Sequence, residues 1–158
     1  MPTLADTTAR LEETFRRIER ERMQGMPLLN PALRVEAVGF AERGDGWLGV
    51  LITPWFVNLV LLPRDEARWA QLAPSSASIE TFALGEFEFL VGRDETFGTY
   101  KSCTLFSPAL EFADHAAARS AALTALDALH AKPSPAEPPS APVSRRAFLR
   151  GEFGNQST

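Results

Sequence analysis

The residues of this sequence that could perform acid–base, metal or thiol chemistry are two histidines and one cysteine. His115 and His130 stand fifteen positions apart in one predicted helix, so they cannot share a metal ion without further ligands. His130, near the end of that helix, is explained by a favourable interaction with the helix dipole. No phosphate-binding loop is present, because the glycines at 44 and 46 lack a following helix and lysine. The sequence therefore predicts no catalytic site, no metal site and no cofactor.

Cys103 is the single cysteine, which excludes an internal disulfide and any paired-cysteine metal or redox site. It falls within a predicted strand, residues 97–106, where its simplest role is that of a small buried residue. The alternative is a thiol near a binding surface, which would require exposure and nearby positive charge. The competing functional hypothesis is a thiol-active, redox-active or oxygen-protective accessory factor that acts through Cys103.

The segment most suggestive of binding is a bend between two apolar runs, residues 47–52 and 57–62. Both runs are rich in aliphatic and β-branched residues, which favour buried strands. The bend consists of Thr53, Pro54, Trp55 and Phe56, and Pro54 has no N–H to donate to a strand ladder. Bulky aromatic residues stand here in place of the usual polar turn residues. Trp55 and Phe56 either belong to the core or anchor a partner, as tryptophan often does at interfaces.

The elements that must position these residues predict an α+β fold. Residues 3 to about 26 have the spacing of an amphipathic helix, and a second helix begins after Asp114 and runs to about residue 131. Strands are predicted at residues 33–42, 47–52, 57–62, 79–84, 86–91 and 97–106. The expected architecture is an antiparallel β-sheet of about five to six strands, flanked by an N-terminal and a C-terminal helix. A proline-rich disordered tail is expected to follow.

The C-terminal tail divides into two segments after a folded domain of residues 1–131. Residues 132–143 are dense in proline and predict an extended, poorly ordered linker. Residues 144–158 contain Ser-Arg-Arg-Ala-Phe-Leu-Arg, the pattern of a twin-arginine export signal. The motif stands at the wrong end of the chain, with no apolar region after it, so it cannot direct export.

Three roles for this tail remain open. The basic segment either packs on the acidic body of the protein or docks in a groove of a partner through Arg145, Arg146, Phe148 and Leu149. As a third possibility, its likeness to a signal sequence lets it occupy the binding site for a client until a precursor displaces it.

The distribution of charge and apolar residues limits the partners. The formal charge is −4, with four basic and two acidic residues from Lys132 onward, so the remainder carries −6. An acidic body argues against nucleic-acid binding, which needs a basic face for phosphates. Residues 47–62 are too few to span a membrane as a helix, which needs roughly 20 residues. The first residues do not form a signal peptide. A cytoplasmic protein without membrane insertion is expected.

Several motifs together resemble one family. They are GVLITPWF at residues 49–56, LLP at 61–63, FLVG at 89–92, GTYKSC at 98–103, LFSP at 105–108 and RRAFLRG at 145–151. In these motifs the chain resembles the HybE/HupJ family of assembly chaperones for nickel–iron hydrogenases. The resemblance implies a non-enzymatic cytoplasmic factor that binds hydrogenase subunit precursors. The implied clients are the small-subunit precursor, which carries a twin-arginine signal, the large subunit, or both, with other maturation proteins as further candidate partners.

The expected partner-binding residues lie in the bend, in the predicted strand 97–106 and in the tail. They are Thr53, Pro54, Trp55, Phe56, Tyr100, Cys103, Arg145, Arg146, Phe148 and Leu149. A joint site of the bend and the segment from Tyr100 to Cys103 requires the two to lie side by side in the folded protein.

Overall fold

The computed structural model describes residues 3–131, and these begin with an amphipathic helix, α1 (Leu4–Ile18). The Thr3 side chain caps the helix by accepting a hydrogen bond from the Asp6 N–H. Leu11 and Phe15 are buried on one side of the helix. The α-helix was predicted to reach about residue 26, but it ends at Ile18 and continues as one π-helical turn, Glu19–Met23.

Within this described part, six strands form one antiparallel sheet in the order β1-β2-β3-β6-β5-β4. The strands are β1 (Glu36–Arg43), β2 (Gly46–Ile52), β3 (Val57–Pro63), β4 (Ala77–Thr81), β5 (Glu86–Asp94) and β6 (Gly98–Phe106). A short helix, α2 (Glu66–Trp69), follows β3, and the helix α3 (His115–Leu129) follows β6. The prediction of an α+β fold with an antiparallel sheet between terminal helices is confirmed.

The two longer helices cover opposite faces of the sheet, and this arrangement explains the apolar runs of β2 and β3. Every residue of these two strands is buried, which is expected for strands covered on both faces. The α1 face includes Leu11 and Phe15 of the helix with Trp47, Leu51, Val60 and Leu62 of the sheet. The α3 face includes Ala118 and Leu129 of the helix with Val50, Leu59, Phe87 and Phe89. None of the helices within residues 3–131 is long and apolar enough to cross a membrane.

Two predicted strand boundaries were wrong. The strand predicted at residues 79–84 ends at Thr81, because Phe82 and Gly85 close a turn through reciprocal backbone hydrogen bonds of 2.9 and 3.1 Å. The strand predicted from residue 33 begins at Glu36. In α3, Ala122 and Ala125 occupy the buried side of the helix, and Leu123 is 44% exposed.

The sheet curls, so that its two edge strands approach each other. Arg43 at the end of β1 forms an ion pair of 3.3 Å with Glu80 of β4, although four strands separate them in the sheet. Lys101 of β6 binds the same carboxylate at 3.0 Å. Arg43 also donates to the Thr81 carbonyl and lies 4.1 Å from the centre of the Phe82 ring. We call Arg43, Glu80 and Lys101 the charged clasp.

The last described turn of the chain lies beside the β4–β5 turn. Asp114 caps α3 by accepting from the Ala117 N–H at 2.8 Å, as predicted. At the other end of α3, the Leu129 carbonyl accepts from the Leu84 N–H at 3.2 Å. The described part of the chain therefore ends, at residue 131, two residues after this contact with the turn that joins β4 to β5.

Candidate partner-binding surface

The bend between β2 and β3 is a fixed turn organised by a buried threonine. The Thr53 hydroxyl oxygen accepts from the backbone N–H groups of Trp55 at 3.2 Å and of Phe56 at 2.9 Å. The Thr53 N–H in turn donates to the Phe56 carbonyl at 2.8 Å. Threonine can replace a missing backbone acceptor in this way, which explains how the chain turns without glycine. Thr53 and Pro54 are buried, whereas Trp55 and Phe56 are half-buried.

Asn30 attaches the bend to the segment after β6. Its backbone N–H donates to the Pro54 carbonyl at 2.7 Å, and its side-chain amide donates to the carbonyls of Ala109 and Phe112 at 2.9 Å each. Asn30 is itself buried. Because Asn30 joins the bend to the segment after β6 through its backbone and its side chain, the orientation of the bend is fixed by hydrogen bonds as well as by packing.

Four aromatic side chains from three elements meet beneath and beside the bend. The ring of Phe15, on α1, lies 6.4 Å from Trp55, 5.8 Å from Phe56 and 6.0 Å from Tyr100 of β6. Trp55 and Phe56 contact each other edge to face at 5.6 Å. These separations are favourable for aromatic pairs. We call Phe15, Trp55, Phe56 and Tyr100 the aromatic cluster. Phe15 is buried, and the other three residues are half-buried.

Tyr100 rests directly on the backbone of β5. The two strands pair at Gly92 and Tyr100, and a Cβ atom at position 92 would lie only 2.7 Å from Cζ of the tyrosine ring. Glycine at this position therefore permits the close approach. Burial, and to a lesser extent the negative charge of Asp94, raise the pKa of the Tyr100 phenol above its usual value. The hydroxyl is consequently a hydrogen-bond donor at neutral pH.

Asn58 adds an unsatisfied acceptor to the same face of the sheet. It is two residues beyond the bend, and it pairs with Leu51 of the α1 face and with Thr104. Its residue exposure is 8%, and its Oδ1 is the one buried side-chain oxygen or nitrogen within residues 3–131 that has no hydrogen-bond partner. A buried carbonyl oxygen without a donor costs about 1–3 kcal/mol.

The structure separates Cys103 from the aromatic cluster. Tyr100 and Cys103 are three positions apart on β6, and successive side chains of a strand point to opposite faces. Cys103 is 5% exposed and belongs to the core of the α3 face, where it pairs with Leu59 of β3. The bend and Tyr100 therefore lie together, as a joint site requires, whereas Cys103 faces the other side of the sheet.

The histidines have structural contacts. His115 is buried, and its Nδ1 accepts a hydrogen bond from the Arg34 N–H at 3.3 Å. The ring proton is therefore on Nε2, which lies 2.7 Å from a Glu36 carboxylate oxygen and donates to it. His130 is bonded through Nδ1 to the Leu126 carbonyl at 2.9 Å. Within residues 3–131, no three His, Cys, Asp or Glu side chains are arranged to hold a metal ion.

The predicted residues of the tail lie outside the described part of the chain; they are Arg145, Arg146, Phe148 and Leu149. The linker at 132–143 lies there as well. Conversely, three residues that shape the surface were not predicted as part of it, namely Phe15, Asn30 and Asn58. Asn58 carried a visible signal, because it is the only polar residue in the apolar run 57–62. The contact of Phe15 with the bend depends on how α1 crosses the sheet, which no local pattern reveals.

The fold and the surface define a small α+β protein with one antiparallel sheet between two helices and an aromatic cluster at a strand bend. The solution structure of HybE from Escherichia coli has the same fold, with a TM-score of 0.60 at 22% identity, over 87% of this chain and 86% of that one. The sequence model described as "[NiFe]-hydrogenase assembly, chaperone, HybE" matches residues 6–151. The chain therefore belongs to the HybE family of [NiFe]-hydrogenase assembly chaperones, as the resemblance of its motifs predicted.

Two relatives of known name support this assignment. Protein HoxT of Cupriavidus necator is 42% identical over 159 residues, covering 92% of this chain and 89% of that protein. The hydrogenase expression/formation protein HupJ of Bradyrhizobium diazoefficiens is 37% identical over 147 residues, covering 89% and 85%. The matches extend along nearly the whole length of both proteins, so the similarity is not confined to one motif.

Proposed function

We propose that this chain is a non-enzymatic cytoplasmic chaperone that binds [NiFe]-hydrogenase subunit precursors through the aromatic cluster. The observation that carries the proposal is the bend, which holds Trp55 and Phe56 half-buried in a turn fixed by Thr53 and Asn30. Aromatic residues held rigidly lose little conformational entropy when a partner binds, so they are effective anchors. Membership of an assembly-chaperone family supports a role in binding a client rather than in catalysis.

The client that best fits the charge of the protein is the small-subunit precursor with its twin-arginine signal. The chain outside the tail carries a net charge of −6, which attracts a basic segment and accelerates its encounter with the protein. The large subunit and other maturation proteins are the further candidates.

The decisive experiment compares binding of purified precursors to the wild-type chain and to Trp55→Ala. We expect Trp55→Ala to weaken binding of the small-subunit precursor about tenfold, which is about 1.4 kcal/mol, because an interface anchor is lost. Isothermal titration calorimetry with each subunit in turn identifies the primary client. A normal affinity would place Trp55 outside the interface.

The matched control is Leu123→Ala, which removes an exposed apolar side chain, 44% exposed, from the opposite side of the molecule. This variant should bind the precursor with unchanged affinity. Circular dichroism and thermal melting of both variants distinguish loss of a contact from loss of the fold. If Trp55→Ala unfolds, Trp55 is a core residue and its proposed role is lost.

A further inference from the structure

The outer edge of the α1 face carries apolar and acidic side chains that α1 does not cover. Ile79 of β4 is 58% exposed and Leu90 of β5 is 52% exposed. The strand register places Ile79 opposite Glu88 and Thr81 opposite Glu86, so these side chains share one face. Phe87 and Phe89, between them, point to the opposite face and are buried. We call Ile79, Glu86, Glu88 and Leu90 the edge strip.

The two glutamates of the edge strip have no ion-pair partner among residues 3–131, whereas Glu80 of the neighbouring strand β4 is paired with Arg43 and Lys101. Glu86 and Glu88 are both exposed and adjacent on one side of β5. The edge strip therefore offers two negative charges beside two exposed aliphatic side chains. A segment with two cations and two apolar residues would pair with these charges and cover the aliphatic side chains.

The chain contains such a segment beyond the described residues. Arg145 and Arg146 are followed by Phe148 and Leu149, two cations and then two large apolar residues. The family model extends to residue 151, so this segment belongs to the part of the chain that defines the family. We propose that the edge strip is the seat of the chain's own segment 145–149, with the arginines on Glu86 and Glu88 and the apolar pair on Ile79 and Leu90.

The position where the described chain ends makes this contact accessible. The carbonyl of Leu129, the last residue of α3, is bonded to Leu84 in the turn between β4 and β5, directly before Glu86. The residues from 132 to 144 span about 40 Å if extended, at roughly 3.1 Å per residue. The strip is about five strand residues long, or about 17 Å. The linker therefore reaches every part of the strip, and tethering raises the local concentration of the segment to the millimolar range.

The contact is measurable in the full-length chain by NMR of isoleucine methyl groups. The sequence has three isoleucines, Ile18, Ile52 and Ile79, and Ile52 is fully buried in the core. In Phe148→Ser/Leu149→Ser, we expect the Ile79 methyl signal to move, because the Phe148 ring no longer lies near it, whereas the Ile52 signal stays in place. Glu86→Arg/Glu88→Arg should move the Ile79 signal in the same direction, since the arginines of the segment are then repelled.

A charge exchange distinguishes docking of the segment from a direct effect of the substitutions on Ile79. Adding Arg145→Glu/Arg146→Glu to Glu86→Arg/Glu88→Arg should return the Ile79 signal towards its wild-type position. An Ile79 signal that ignores the Phe148→Ser/Leu149→Ser change would overturn the proposal, and so would a failure of the charge exchange to restore it. If the Ile79 signal moves with protein concentration, and does so equally in the wild type and in Phe148→Ser/Leu149→Ser, a second copy of the chain covers the strip instead of the segment.

Discussion

Tyr100 is the only tyrosine of the chain, so its ionisation can be followed without interference. Burial and the charge of Asp94 raise its pKa, and the absorbance of tyrosinate should therefore appear only above the pH of an ordinary tyrosine. Since the folded state favours the protonated phenol, the free energy of unfolding should fall as the pH rises above about 10. Spectrophotometric titration combined with denaturant unfolding at several pH values tests both statements.

The substitution Tyr100→Phe is the control for this prediction. It retains the ring that contacts Phe15 at 6.0 Å but removes the ionisable group. In this variant, the free energy of unfolding should fall less steeply above about pH 10 than in the wild type, because residue 100 no longer ionises. A tyrosine that titrates normally in the native protein would mean that the ring is more accessible than the structure indicates.

Cys103 is expected to be chemically inert in the folded protein. It is 5% exposed on the α3 face, and thiols buried in apolar surroundings react slowly because the thiolate is disfavoured. A thiol reagent at neutral pH should modify the native protein far more slowly than the protein in denaturant. Rapid modification of the native chain would instead favour the hypothesis of a thiol-active factor.

At the scale of elements, the turn between β2 and β3 depends on a single hydroxyl group. Thr53→Val keeps the shape of the buried side chain but leaves the N–H groups of Trp55 and Phe56 without their acceptor. We expect a loss of about 2 kcal/mol in the free energy of unfolding, the cost of unsatisfied buried donors. Denaturant unfolding measures it, and a greater exposure of Trp55 should shift the tryptophan fluorescence to longer wavelength.

The variant Thr53→Ser separates the hydroxyl from the rest of the side chain. Serine retains the acceptor and loses one buried methyl group, so only about 1 kcal/mol should be lost and the fluorescence should stay near that of the wild type. If the valine and serine variants behave alike, the hydroxyl does not organise the bend.

The sequence was sufficient to predict the helices and strands, but not to predict which strands pair with each other. β2 and β3 are continuous apolar runs because both of their faces are buried. In β5, Phe87 and Phe89 alternate with glutamates because only one face of that strand is buried. The pairing of β3 with β6 could not be predicted, because it joins residues 40 to 49 positions apart, from Leu61 with Lys101 to Val57 with Phe106, across the β4–β5 hairpin. Without this pairing, Tyr100 could not be placed next to the bend.

At the scale of the whole molecule, the edge strip and the aromatic cluster adjoin. Leu90 of the strip is two residues from Gly92, on which Tyr100 rests. A tail seated on the strip therefore competes with a client for neighbouring contacts. We expect deletion of residues 144–158 to raise the affinity for a twin-arginine signal peptide, measured by calorimetry. An unchanged affinity would mean that the tail does not compete, and a lower one that the tail is an arm that holds the client.

The charged clasp has a consequence for where this protein begins to unfold. Among residues 3–131, β4 is hydrogen-bonded to a strand only on its β5 side, and on the other side Glu80 is held by the side chains of Arg43 and Lys101. These ion pairs meet at one carboxylate, so they hold β4 at a single point, whereas a ladder of backbone hydrogen bonds would hold the strand along its whole length. Local unfolding should therefore start at β4 and uncover Phe82, while α1 and β1 to β3 stay folded. Limited proteolysis would then cut first at this edge, the same edge to which the tail is proposed to return.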